Sequence, residues 1–75
     1  MGKNDDKGLV CMEFYGDSLA ETLLAAIDVR RDRLQGAMKD FGRALCRYRS
    51  LNAVEVRVVD GLGAEIDRNT VYRGR

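Results

Sequence analysis

One run of spaced hydrophobes limits what this chain can fold into more than anything else in it: Leu19, Leu23, Ile27, Leu34, Met38, Phe41, Leu45 and Tyr48. Set on a helix at about 100° per residue, they share roughly a quarter to a third of the circumference. Ala20, Ala37 and Ala44 lie at the margins, and the phase persists across Gly36 and Gly42. Read this way, residues 18–49 form one long amphipathic helix. Ser18-Leu19-Ala20-Glu21 has the form of a capping box at its start, and Asp17 suits the positive end of the dipole. At the far end, Asn52 suits the left-handed residue that follows a last turn. A glycine inside a helix costs about 1 kcal/mol against alanine, so a bend at Gly36 is expected. A helix–turn–helix break at Gln35-Gly36 is the competing reading.

The length of that helix sets a further expectation. Thirty-two residues (18–49) would span roughly 48 Å, whereas strands of seven or eight residues reach about 25 Å. A sheet drawn from the same chain leaves part of the stripe uncovered. A second copy of the protein is the economical cover, so the expected assembly is a homodimer. Leu34, Met38, Phe41, Leu45 and Tyr48 are the candidate self-association residues. Arg30 interrupts the stripe near its centre. It either snorkels its guanidinium to water or is held by a carboxylate, with Glu13 a candidate.

The flanks read as strands. In residues 8–15, Val10, Met12 and Phe14 face one way and Leu9, Cys11, Glu13 and Tyr15 the other, as in a central strand. Residues 53–60 alternate most cleanly, with Val54, Val56 and Val58 inward and Glu55 and Arg57 outward. Asp60-Gly61-Leu62-Gly63 is a hairpin turn; as a phosphate loop it lacks the third glycine and the helix that must follow. Residues 64–72 form a charged edge strand, with Ile66, Arg68, Thr70 and Tyr72 on one face. The order is strand, helix, strand, strand: an α+β fold of small β-α-β-β type. One long helix packs on a short two- or three-stranded sheet, with the first two strands parallel. Residues 1–7 are a polar arm, residues 8–72 the single domain and residues 73–75 a basic tail.

Seventy-five residues with a net charge of +1 make one small domain with a modest core. The longest apolar run, Leu23 to Ile27, is far short of the roughly 18 residues a membrane span needs, and no signal peptide is apparent. The expected setting is cytoplasmic, with no membrane partner. Cys11 and Cys46, the two cysteines, suit neither a disulfide framework nor a metal site. Free thiols are expected, Cys46 near the solvent side of the helix. Histidine is absent and the serines are Ser18 and Ser50, which removes the usual nucleophilic triads. The sequence therefore reads as non-enzymatic, with no cofactor and no metal.

Charge is informative by segment. Residues 36–50 carry Lys39, Arg43, Arg47 and Arg49 against Asp40 alone, and residues 68–75 carry Arg68, Arg73 and Arg75 without an acid. Lys39, Arg43 and Arg47 fall on one line of the helix. Lys39, Arg43, Arg47, Arg49, Arg73 and Arg75 are therefore the candidate contacts to a macromolecule. The bland alternative is a solvated face that suits the C-terminal end of the dipole. The leading expectation is a protein–protein interaction module that self-associates and acts as a regulator or stoichiometric inhibitor, of the kind phages and mobile elements carry. A nucleic-acid-binding protein using the basic strip is the alternative.

Overall fold

The computed structural model describes residues 8–74. The polar arm at residues 1–7 and Arg75 lie outside the described residues. The chain forms strand β1 (Leu9–Tyr15), strand β2 (Leu23–Arg30), a short 3-10 turn (Arg31–Arg33), helix α1 (Leu34–Arg49), strand β3 (Ala53–Val59) and strand β4 (Glu65–Tyr72). The fold is α+β: a four-stranded antiparallel sheet in the order β2-β1-β3-β4 with one helix.

The β-α-β-β layout and the helix over residues 18–49 are thus corrected. Residues 23–30 are a strand, and α1 is sixteen residues long. Leu23 and Ile27 are four apart, a spacing that satisfies a helical repeat and a two-residue repeat equally well. The strand wins because Ala25, Ile27 and Val29 then stand opposite Phe14, Met12 and Val10, extending one apolar face across both strands. The supposed capping box is a hairpin loop. Asp17 accepts from the amides of Glu21 (3.1 Å) and Thr22 (2.8 Å), while Ala20 takes a positive φ of 58°. Ser18 caps no helix.

The inserted strand also reverses the expected pairing. β1 and β3 are antiparallel, and β2 and β3 run parallel on either side of β1, joined through α1 as a split β-α-β unit. At 1.5 Å per residue α1 spans about 24 Å, matching the strands. The excess length that first argued for a second copy does not exist.

One face of the sheet carries the core. Phe14, Met12, Val54, Val56 and Val58 are fully buried, together with Cys46 from the helix. Across from them α1 buries Leu34, Met38, Gly42 and Cys46, a line at four-residue spacing. Cys46 is therefore inside, its Sγ 3.8 Å from the Val71 carbonyl oxygen, and not toward solvent. Gly42 admits Val71: a Cβ at 42 would lie 2.6 Å from a Val71 methyl carbon. The helix ends at Ser50, which adopts the left-handed conformation expected of Asn52. The Leu51 amide then closes on the Cys46 carbonyl at 2.8 Å.

Candidate functional site

The sheet face away from α1 is a ladder of paired charges. Arg57 donates to Glu13 (2.9 Å) and to Glu65 (3.0 Å), and Arg68 donates to Glu65 (2.9 Å). Thr70 donates to Glu55 and Tyr15 to Glu13. The Tyr15 hydroxyl, followed by Arg57, holds the Glu13 carboxyl below its ordinary value despite partial burial. Arg68 and then Arg57 do the same for Glu65. Every charge in this ladder has a partner within the chain, so the ladder is a solvated, self-neutralised surface.

Arg30 is held by a carboxylate, but in the open and by a neighbour in the chain rather than by Glu13. It ends β2, exposed, and pairs with Asp32 at 3.2 Å, while its suggested partner Glu13 is taken by Arg57. Cys11 sits on the ladder face and Cys46 on the core face, so no bridge joins them and both are free. Burial raises both thiols above the ordinary value, Asp28 reinforcing it at Cys11. The Asp60–Gly63 turn is the expected hairpin. Asp60 accepts from the Leu62 and Ala64 amides, and these bonds hold its carboxyl below the ordinary value.

The chemistry that remains open lies along the two outer strands. Just past β2 the Arg31 amide donates to the Gly8 carbonyl, in register with the β1 pairs. Antiparallel pairing alternates, so Ala25, Ile27 and Val29 direct their backbone to β1. Ala26, Asp28 and Arg30 direct theirs outward, while Leu24, the extra residue of a bulge opposite Phe14 and Tyr15, breaks the alternation and packs toward the core. This edge has no proline or lysine and one charge of each sign. Its core-side residues Ala25, Ile27 and Val29 are only half-buried, because α1 leans toward β3 and β4. The helix flank turned away from β4 carries Ala37, Phe41, Leu45 and Tyr48. Phe41 is 44% exposed and Tyr48 81%.

The other edge is β4, where Arg73 donates to the Asn52 carbonyl at 2.8 Å. The same parity argument turns the backbones of Arg68, Thr70 and Tyr72 outward. Beside it runs a groove of about 260 Å³ lined by Gln35, Met38, Lys39 and Arg43 from α1 and by residues 69–72 and Gly74.

The candidate residues from the sequence divide accordingly. Leu34 and Met38 are buried in the chain's own core, while Phe41, Leu45 and Tyr48 form the flank toward β2. Lys39 and Arg43 line the β4 groove together, and Arg47 continues their line. Arg49 is exposed in the last turn, and the charge of Arg73 acts on the Cys46 thiol, opposing its burial. Sequence reasoning missed both edges as sites, although the alternation Leu23-Ala25-Ile27-Val29 was there to signal β2. No helix among the described residues is long and apolar enough to cross a membrane. Compared with known proteins, the chain matches no family model, no curated protein and no solved structure.

Proposed function

We propose that this protein is a non-catalytic interaction module that works as a two-fold homodimer joined along β2. One observation carries the reading: an eight-residue, largely apolar strand lies at a sheet edge that no other described strand covers, beside core residues its own helix only half covers. Natural edges are ordinarily blocked by charge, proline, a bulge or a covering element. β2 has no proline, one charge of each sign and a bulge confined to its start, which suits the rest of it to pair.

Symmetry restricts the pairing. A two-fold axis perpendicular to the sheet preserves faces, so one residue must stand opposite itself. With Ile27 in that place, the outward-facing Ala26 of each copy finds Asp28 of the other, and Arg30 reaches the bulged start of the second β2. On the core side Ile27 meets Ile27, flanked by Ala25 opposite Val29. Centring on Asp28 instead would set two carboxylates face to face. The joint buries the half-covered core side of β2 and brings Phe41, Leu45 and Tyr48 of both copies toward it, completing two cores at once.

Sedimentation equilibrium tests this. The wild-type chain should sediment as a dimer in the micromolar range. Ala26→Pro removes an amide that makes no bond to β1, and edge strands tolerate proline. That variant should be monomeric with an unchanged circular dichroism spectrum, as should Phe41→Lys. A wild-type chain that stays monomeric at submillimolar concentration, or an Ala26→Pro variant still dimeric, rejects the β2 joint.

A further inference from the structure

We infer that the groove between α1 and the free edge of β4 binds an extended acidic peptide, which adds to the sheet as a fifth strand. The inference extends the interaction-module reading but does not depend on the β2 joint, since β4 is the opposite edge.

The backbone supplies the first argument. Along β4 the outward amide of Arg68 is already taken by the Asp67 carboxylate, 2.9 Å away. This plugs the edge at its start and agrees with the parity derived above. Past that point the outward groups of Thr70 and Tyr72 open directly into the groove. Among the described residues the sheet therefore offers a short stretch of unpaired ladder where α1 provides a second wall. Strand addition to an edge draws its affinity from such groups and its specificity from alternate side-chain positions.

Charge names the chemistry of the occupant. The groove is lined by Lys39 and Arg43 with no carboxylate among its residues. Among the described residues neither cation has an ion pair, in contrast to Arg57 and Arg68, both neutralised on the other face of the sheet. Met38 and Val71, both buried, make an apolar floor below them. A peptide laid here would point every second side chain toward the helix.

Spacing refines the motif. Lys39 and Arg43 stand one helical turn apart, about 6 Å along the axis. Same-face residues of a strand are about 6.6 Å apart. Two acidic residues separated by one residue of any type would meet both cations in one register. The phosphates of single-stranded nucleic acid would find the same charges but make no use of the amide ladder.

A fluorescein-labelled peptide of alternating valine and glutamate tests the inference by anisotropy, with an alternating valine–lysine peptide and a single-stranded oligonucleotide as comparisons. The glutamate peptide should bind and the lysine peptide should not. On binding, hydrogen exchange should slow at the Thr70 and Tyr72 amides. The exposed double change Lys39→Glu/Arg43→Glu should weaken the glutamate peptide by about tenfold or more and let the lysine peptide bind. Failure of the glutamate peptide to bind overturns the inference. So does binding that leaves the Thr70 and Tyr72 amides unprotected, or an oligonucleotide that binds more tightly than the peptide. Running the titration on monomeric Ala26→Pro protein keeps this outcome separate from that of the β2 joint.

Discussion

Gly42 of α1 and Val71 of β4 approach so closely that no side chain fits between them: a Cβ on residue 42 would lie 2.6 Å from one Val71 methyl carbon and 2.8 Å from its Cβ. The glycine lets the helix settle onto the outer half of the sheet, and that lean leaves β2 half-covered. Two effects oppose each other in Gly42→Ala. Helix propensity favours alanine by about 1 kcal/mol, while overpacking a full core costs about 1–3 kcal/mol. Because the obstacle is a buried β-branched side chain on a strand, overpacking should win, with a net loss of about 1 kcal/mol or more. Urea unfolding measures it. A companion Val71→Gly change should make Gly42→Ala favourable in that background. A Gly42→Ala variant more stable than wild type would show that helix and strand part at no cost.

Among the described residues, two without glycine's freedom hold left-handed backbone: Ala20 in the β1–β2 loop and Ser50 at the end of α1, each at φ 58°. An L side chain there costs about 1 kcal/mol, partly offset by glycine's greater unfolded-state entropy. Ala20→Gly and Ser50→Gly should each raise stability by about 0.5 kcal/mol. The pair should be additive, since the sites lie in different loops. Thermal melts decide it, and a Ser50→Gly variant that loses stability would refute the assignment of the helix end.

The ladder on the outer face ties stability to pH with a definite sign. Glu13 and Glu65 have folded-state values below their ordinary 4.5. Their contribution is therefore complete above that pH and is lost as the pH falls through the depressed values. Wild-type stability should decline in acid, and Glu13→Gln should decline less steeply. At neutral pH that substitution should cost only about 0.2–1 kcal/mol, as for a partly exposed pair. Urea midpoints across the acid range test this; a Glu13→Gln variant with the wild-type slope would remove Glu13 from the account.

Much of the second half of the chain is legible in the sequence. Val54, Val56 and Val58 face the core as their alternation requires, and Asp60–Gly63 turns as its residues demand. The first half misled for a physical reason. Leu19, Leu23 and Ile27 repeat every four residues, which a strand and a helix accommodate alike, and Asp17 satisfies amides in a loop just as it would at a helix start. Alanines at 25 and 26 then weight the reading toward helix. The basic line Lys39-Arg43-Arg47 was visible, but not the groove beside it. Its free amides depend on hydrogen-bond parity, which follows from strand register and is carried by no single residue type.

The two cysteines offer a direct readout of how the molecule opens. Cys11 is partly accessible on the ladder face, whereas Cys46 is fully enclosed between α1 and β4. Burial raises both thiols, so neither reacts as a ready thiolate. An aromatic disulfide reagent should modify Cys11 in the folded protein, slowly but without unfolding. Cys46 must wait for α1 to lift from β4, so its rate should follow the equilibrium constant for that opening. Gly42→Ala, which loosens this contact, should accelerate Cys46 and leave Cys11 unchanged. If both thiols react at one rate in native conditions, Cys46 is not sealed beneath the helix.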